Sequence, residues 1–152
     1  MKILIMGLPG SGKTWLGERL GQHFMIPYWD ADDVRRIYGQ DWDFSPQARE
    51  KQALRMRKLA EVDPIRISGF VCPLPGYRRH FFPDKLIWMD TVQESEYEDT
   101  NKLFKPPTKY DLRIKTWIDE GQLYKCLEDF SLGTKDIESF SNELIKKLDK
   151  LQ

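Results

Sequence analysis

The sequence has few cysteines and no long apolar run. Cys72 and Cys126 are its only cysteines, too few for a disulfide framework and typical of proteins of the reducing cytosol. The first apolar run covers residues 3–6, which is too short for the core of a signal peptide or for a membrane span. These absences predict a cytoplasmic protein that has no membrane partner.

The chain also lacks a net charge, because it has 24 basic and 24 acidic residues. A balanced chain has no overall attraction for polyanions, so a nucleic-acid partner is not expected. The sequence also contains no internal repeat and no low-complexity segment. A chain of 152 residues is long enough to bury a core without disulfides, and we expect residues 1–152 to form a single domain.

What the sequence does contain is a glycine-rich motif directly after the apolar run of residues 3–6. Residues 7–14 read Gly-Leu-Pro-Gly-Ser-Gly-Lys-Thr, which matches the phosphate-binding loop Gly-x-x-x-x-Gly-Lys-Thr. In this motif, backbone N–H groups and a helix N-terminus surround phosphate oxygens, the lysine reaches the β- and γ-phosphates, and the threonine hydroxyl binds Mg²⁺. The motif therefore predicts ATP and Mg²⁺ as ligands. The expected ATP-binding residues are Gly7, Gly10, Ser11, Gly12, Lys13, Thr14 and Trp15, with Lys13 also catalytic and Thr14 also a metal ligand.

Strand-like and helix-like segments alternate along the chain. This alternation predicts an α/β fold of three layers, the phosphate-loop (P-loop) NTPase fold, with a mainly parallel sheet flanked by helices. The predicted strands cover residues 3–6, 26–29, 65–71, 86–89 and 112–118. The predicted helices cover residues 13–24, residues 46–61 after a cap at Ser45, and a final segment after a cap at Thr134.

Carboxylates follow two of the predicted strands. Ligands of such sheets bind beyond the carboxyl ends of the strands, and Asp30 and Asp32 come directly after the second strand. Carboxylates beside a triphosphate are suited to metal coordination or to general-base work. The alternative is that one of them only caps a short helix that begins near residue 33. For Asp90, after the fourth strand, a structural role is favoured over a direct one.

Two arginines are hard to explain by helix stability. Arg49 lies in the first turn of its predicted helix, where a cation opposes the helix dipole, and Arg35 lies five residues after Asp30. Basic clusters usually form solvated surfaces, but for these two residues we favour an anionic ligand. The sequence therefore predicts a small-molecule anionic substrate next to ATP.

Four segments together resemble the adenylylsulfate kinase (APS kinase) family, whose members phosphorylate the 3′-hydroxyl of adenosine 5′-phosphosulfate. The segments are the phosphate loop, residues 29–35 (Trp-Asp-Ala-Asp-Asp-Val-Arg), residues 44–52 (Phe-Ser-x-x-x-Arg-x-x-Gln), and residues 70–73 (Phe-Val-Cys-Pro) with the Tyr-Arg-Arg that follows at 77–79. Their order and spacing agree with the family over residues 1–92. The resemblance implies an ATP-dependent kinase of sulfate assimilation, and a homodimer is compatible with it.

The resemblance also implies roles for individual residues. Asp30 would be the catalytic base or the carboxylate that orients the hydroxyl, and Asp32 would help to hold Mg²⁺ through water. Arg35 and Arg49 would bind the phosphosulfate, and Phe44 would stack on the substrate adenine. The full set of implied substrate-binding residues is Asp30, Arg35, Phe44, Arg49, Gln52, Val71, Cys72 and Pro73.

The chain departs from the family pattern in two places. Cys72 stands where the family has serine, and the family's lid, which begins Arg-Asp-x-Lys-Gly-Leu-Tyr, is reduced to residues 98–104. Glu98 therefore replaces the lid arginine, and Asn101 replaces the lid lysine. Three activities stay open: phosphorylation of adenosine 5′-phosphosulfate, phosphorylation of another small molecule or nucleotide, and ATP binding without turnover. A GTPase is not expected, because neither Asn-Lys-x-Asp nor Asp-x-x-Gly occurs.

Overall fold

Five parallel strands form one sheet in the computed structural model, which describes all residues from 1 to 152. The strands are β1 (Lys2–Gly7), β2 (Tyr28–Asp30), β3 (Arg66–Phe70), β4 (Lys85–Met89) and β5 (Leu112–Ile114). Their order across the sheet is β2-β3-β1-β4-β5, and every neighbouring pair is parallel. The prediction of a mainly parallel sheet is confirmed.

Seven helices accompany the sheet. They are α1 (Lys13–Phe24), α2 (Ala31–Ile37), α3 (Pro46–Ala60), α4 (Pro75–Phe81), α5 (Glu98–Leu103), α6 (Glu120–Leu127) and α7 (Ile137–Asp149). The predicted bounds of α1 agree with the structure, and α3 begins as predicted, with the Ser45 hydroxyl accepting a hydrogen bond from the N–H of Ala48. None of the seven helices has the length and apolar character needed to cross a membrane.

Both faces of the sheet are buried, which explains why β1 is an unbroken apolar run rather than an alternating one. Ile3 and Ile5 point into a core shared with α1, α6 and α7. Leu4 and Met6, between and after them, point into a second core shared with α2, α3 and α4. The chain thus has three layers, helices–sheet–helices, as the sequence predicts.

Two predicted boundaries are wrong, besides shifts of one or two residues at the ends of β2 and β3. The last strand ends at Ile114 rather than at residue 118, because the N–H groups of Lys115 and Thr116 donate to the side chain of Gln152 instead of to a strand. Thr134 does not cap the final helix. Asp136 does, since its carboxylate accepts hydrogen bonds from two N–H groups of the first turn of α7.

The parallel sheet brings the residues that follow its strands to one edge. Asp30 at the end of β2 is level with Gly69 of β3, and Gly7 at the end of β1 is level with Met89 of β4. The phosphate loop, the Asp30–Asp32 segment and the loop after Phe70 therefore start from the same edge of the sheet, where α/β proteins bind ligands.

Candidate active site

The phosphate loop is shaped by a glycine at its end. Gly12 has a φ of 97° and forms the N-cap of α1, a left-handed conformation that other residues adopt only with strain. A Cβ atom at Gly12 would also lie 2.6 Å from the ring of Trp117. The loop is tied to its surroundings by the Ser11 N–H, which donates to Leu8 O at 3.1 Å, and by the Thr91 hydroxyl, which donates to Ser11 O at 2.7 Å.

Lys13 lies at the mouth of this loop. Its ammonium donates to the backbone carbonyl of Leu8 at 2.9 Å. Burial lowers the pKa of Lys13 to about 8, while the negative charges of Asp30 and Asp32 oppose that shift. A phosphate group beside the ammonium would favour its charged form in the same way, so this lysine is suited to binding an anion.

Asp30 contacts both the phosphate loop and α2. Its Oδ2 accepts a hydrogen bond from the Thr14 hydroxyl at 2.7 Å and a longer one from the Tyr28 hydroxyl at 3.5 Å, and burial raises the pKa of Tyr28. Its Oδ1 accepts from the Asp32 N–H at 2.9 Å, which caps α2. The capping role that the sequence left open is therefore present, together with contact to the expected metal ligand Thr14.

Asp32 differs from Asp30 because its carboxylate accepts no hydrogen bond. Burial, with a further contribution from Asp30, raises its pKa, whereas Arg36 and Arg35 lower it. No group of three or more metal-ligating side chains is present in the chain. A Mg²⁺ ion held by one or two carboxylates and by nucleotide phosphates needs no such group. Thr14 and Asp32 both line the larger cavity, and hydroxyl and carboxylate oxygens are ligands of the type that such an ion takes.

Two cavities meet at the phosphate loop. The smaller, of about 670 Å³, is lined by Trp15 and by residues 117–120 in addition to the loop. The larger, of about 860 Å³, extends from the loop toward α2, α3 and α5. Gly10, Lys13 and Thr14 line both cavities. A group bound at these three residues is therefore accessible from either side.

Sequence reasoning missed the residues of the smaller cavity that lie far from the motif. Trp117, Ile118, Asp119 and Glu120 line it, and they lie between β5 and the start of α6. The predicted last strand, residues 112–118, included Trp117, so the pattern did not place this residue in a loop. The available signal was an aromatic side chain near the end of that strand, where a parallel sheet binds ligands.

All eight predicted substrate-binding residues line the larger cavity. They are Asp30, Arg35, Phe44, Arg49, Gln52, Val71, Cys72 and Pro73. The Gln52 amide donates to Ala31 O at 3.0 Å, which connects α3 to the start of α2. Residues that are more than 40 positions apart in the sequence thus surround one cavity.

The two arginines of this cavity donate hydrogen bonds to backbone carbonyls, which the sequence analysis did not predict. The Arg35 guanidinium donates to the carbonyls of Asp41 and Asp43, both at 2.9 Å, and lies 4.3 Å from the Phe44 ring. Arg35 is also in the last turn of α2, where a cation stabilises the helix dipole. The expectation that helix energetics do not explain Arg35 is wrong. Arg49, near the start of α3, donates to Phe44 O at 3.0 Å.

The loop after β3 presents backbone rather than reactive side chains. Cys72 has a φ of 46° and is buried, and burial raises the pKa of its thiol, so the thiol stays protonated. The buried Arg78 holds this loop from behind by donating to the carbonyls of Cys72, Pro73 and Lys105. Arg78 therefore has a structural role within the basic cluster at 77–79.

The short lid-like segment forms an acidic wall of the larger cavity. Residues 96–100, which include Glu96, Glu98 and Asp99, line it. Lys102 pairs with Glu98 at 3.2 Å. The Asn101 side chain is occupied with Ser95, to whose carbonyl it donates and from whose N–H and hydroxyl it accepts. The positions of the family's lid arginine and lysine thus hold a paired carboxylate and a structural amide.

Asp90 forms a partly exposed ion pair with Arg113. Its Oδ2 accepts two hydrogen bonds from the Arg113 guanidinium, at 2.9 and 2.5 Å, and that guanidinium lies 4.5 Å from the Trp88 ring. The Asp90 N–H donates to Ile114 O at 2.8 Å. These contacts connect β4 to β5 and agree with the structural role that the sequence favoured.

The chain matches no protein-family model. It is 20% identical to a shikimate kinase of Microcystis aeruginosa over 97% of this chain and 84% of the relative. The solved structures that it resembles include an APS kinase of Mycobacterium tuberculosis in complex with AMPPNP and APS, with a TM-score of 0.64, 17% identity and coverage of 97% of this chain and 96% of the other. The chain has the fold of the P-loop kinases.

Two other solved kinases resemble the chain over similar lengths. A shikimate kinase of Aquifex aeolicus has a TM-score of 0.57 and 18% identity and covers 98% of this chain and 96% of its own. A gluconokinase of Sinorhizobium meliloti has a TM-score of 0.56 and 13% identity and covers 99% of this chain and 92% of its own. At these identities the likeness establishes the fold, and it does not distinguish one acceptor from another.

Proposed function

We propose that the protein is an ATP-dependent kinase that phosphorylates a hydroxyl group of a small molecule. The observation that carries this proposal is the meeting of two cavities at Lys13 and Thr14. A kinase needs one site for the nucleotide and another for the acceptor, with the transferred phosphoryl group between them. The resemblance of residues 1–92 to the APS kinase family and the fold shared with several kinases support the same activity.

In this proposal the nucleotide occupies the phosphate loop and the smaller cavity. The N–H groups of the loop and the Lys13 ammonium bind the phosphates, and the rings of Trp15 and Trp117 offer flat apolar surfaces to the nucleoside. Thr14 and Asp32 would hold Mg²⁺, which neutralises charge on the phosphates during transfer.

The acceptor occupies the larger cavity. Its hydroxyl oxygen forms a bond to the γ-phosphorus while the bond from that phosphorus to the β–γ bridging oxygen breaks, and ADP leaves with the electron pair. Asp30 takes the proton of the hydroxyl, or orients it for attack. The contact of Asp30 with Thr14 keeps this carboxylate beside the phosphate-binding residues.

Adenosine 5′-phosphosulfate is our first candidate acceptor. Phe44 has an exposed fraction of 49%, so part of its ring is open to a planar ligand, and Arg49 lies beside it to bind an anion. The support is the spacing of Phe44, Arg49 and Gln52 in the sequence and their shared position on the cavity wall. Another small-molecule acceptor is the second candidate, favoured by the acidic wall of residues 96–99, which differs from a cationic lid.

A panel of acceptors tests the proposal. Purified protein, ATP and Mg²⁺ are incubated with adenosine 5′-phosphosulfate, shikimate, gluconate and other hydroxylated compounds, and ADP and phosphorylated product are both measured. We expect ADP formation that depends on one acceptor and is lost in Asp30→Asn. Activity with shikimate or gluconate alone would reject the first candidate and keep the kinase. Tight ATP binding without turnover of any acceptor would favour a nucleotide-binding protein instead.

A further inference from the structure

Gln152 forms three hydrogen bonds with two consecutive residues of the β5–α6 loop. Its side-chain oxygen accepts from the N–H groups of Lys115 and Thr116, at 2.7 and 2.9 Å, and its amide nitrogen donates to Thr116 O at 3.2 Å. A carboxamide that both accepts from and donates to one residue reproduces the pairing of a β-ladder. The Gln152 side chain therefore replaces the strand partner that residues 115–116 lack.

These hydrogen bonds fix one end of a short segment whose other end is fixed in the core. Ile118 is 7% exposed and belongs to the core beside α6 and α7. Trp117, between these two anchors, is 53% exposed, and its ring packs on the backbone of Gly12 at the start of α1. Trp117 therefore lines the smaller cavity because the residues on both sides of it are held.

We infer that Gln152 is a positioning residue for nucleotide binding, acting through Thr116 on Trp117. This inference rests on the proposed function, since it assigns the smaller cavity to the nucleoside. Gln152 follows α7, and its own N–H donates to Asp149 O, so the end of that helix sets the place from which the carboxamide reaches the loop. The geometry thus connects the end of α7 to the nucleotide cavity on the same side of the sheet.

A general loss of stability is a poor explanation for an effect at this position. Gln152 is exposed, and the N–H groups of Lys115 and Thr116 are accessible enough for water to replace the lost hydrogen bonds. Removal of the side chain creates no core cavity. The expected consequence is a more mobile Trp117 in a protein that is folded as before.

The test compares ATP affinity in four proteins: wild type, Gln152→Ala, Trp117→Ala and the double variant. We expect Gln152→Ala to raise the Kd for ATP, or its KM, by about three- to tenfold, as the loss of exposed hydrogen bonds permits. Neither kcat nor the KM of the acceptor should change by more than about twofold. In the Trp117→Ala background, Gln152→Ala should have almost no further effect, because the two residues act through one contact. Gln22→Ala, at an exposed glutamine of α1 without side-chain hydrogen bonds, is the matched control.

The outcomes separate this inference from the proposed function. If the wild-type protein does not bind ATP, the proposed function has failed. If the wild type binds ATP and Gln152→Ala binds it equally well, the positioning role is rejected and the proposed function stands. A loss that is just as large in the Trp117→Ala background, or one that follows a fall in thermal stability, also rejects the positioning role.

Discussion

The two cavities that meet at Lys13 and Thr14 differ in what lines them. The smaller cavity is lined by glycines of the phosphate loop, by the start of α1 and by residues 117–120, and Lys13, Asp119 and Glu120 are its charged residues. The lining of the larger cavity includes eight charged side chains. These are the three cations Lys13, Arg35 and Arg49, and the five carboxylates Asp30, Asp32, Glu96, Glu98 and Asp99.

For the proposed kinase, this difference predicts that the phosphate-binding half of the site varies less than the acceptor-binding half. A backbone cradle binds phosphate whatever the remainder of the ligand, so its sequence pattern is nearly fixed. A wall of side chains binds one acceptor and changes when the acceptor changes. Glu98, in the acidic segment of this wall, stands where the APS kinase pattern has the lid arginine.

Lys13→Ala should show the largest effect, because it removes the charged side chain that both cavities share. We expect ATP affinity to fall by ~10³-fold, the size observed when one partner of a buried charge pair is removed. Isothermal titration with the Mg²⁺ complex of a non-hydrolysable ATP analogue measures the affinity. Lys51→Ala, at an exposed lysine of α3, is the control. Unchanged affinity in Lys13→Ala would overturn the assignment of the phosphate loop.

Asp30→Asn should separate the two cavities, because it affects transfer more than nucleotide binding. Asparagine caps helices about as well as aspartate, so its oxygen can keep the hydrogen bond from the Asp32 N–H, and its amide nitrogen can donate to the Thr14 hydroxyl oxygen, while the proton acceptor is lost. Turnover should fall by about a hundredfold, the usual size of a general-base effect, with little change in ATP affinity. Equal losses of turnover and affinity would indicate a metal-binding or folding role instead.

The sequence predicted the parts of this molecule that depend on local pattern. β1, the phosphate loop and α1 are consecutive in the sequence, so local residue patterns are enough to predict them. The cap at Ser45 was also predictable, since the serine and Pro46 together start α3. The cap at Asp136 was missed in favour of Thr134, because two candidate residues lie close together and only the packing of α7 chooses between them.

Tertiary contacts decided the rest of the site. Arg35 was predicted to bind a ligand, but its guanidinium is held by carbonyls of a turn that the sequence pattern does not show. Trp117 was missed because its approach to Gly12 depends on β5 lying beside β4 and on Gln152, at the far end of α7. Such pairings join residues that are distant in the sequence.

Arg49→Ala tests the larger cavity alone, because Arg49 lines that cavity and not the smaller one. A charge-assisted contact with a phosphate, sulfate or carboxylate contributes about 1.5–3 kcal/mol, so the acceptor concentration for half-saturation should rise about ten- to hundredfold. ATP affinity should stay within about twofold, since Arg49 does not line the smaller cavity. Steady-state kinetics with both substrates varied give these values, and Arg79→Ala, at an exposed arginine, is the control. A rise in the KM of ATP alone would show that Arg49 binds the nucleotide and not the acceptor.

The pH dependence of ATP binding should give the smallest effect, and it depends on Lys13, which lines both cavities. Burial lowers the pKa of Lys13 in the free protein to about 8, and a bound triphosphate would raise it again. ATP binding above pH 8 must then be accompanied by uptake of a proton. Affinity should be nearly constant below pH 7.5 and should fall about eightfold between pH 7.5 and pH 9, as linkage requires for a single group.

Titration calorimetry in two buffers of different ionisation enthalpy measures both the affinity and the proton uptake. Lys13→Arg is the matched variant, because a guanidinium stays charged over the whole range. Whatever the absolute ATP affinity of this variant, it should not decrease between pH 7.5 and pH 9. The sign follows from the direction of the shift, since a lysine whose pKa is lowered in the free state binds anions best below that pKa. Affinity that rises with pH in the wild type, or a fall that persists in Lys13→Arg, would show that a group other than Lys13 titrates at the phosphate loop.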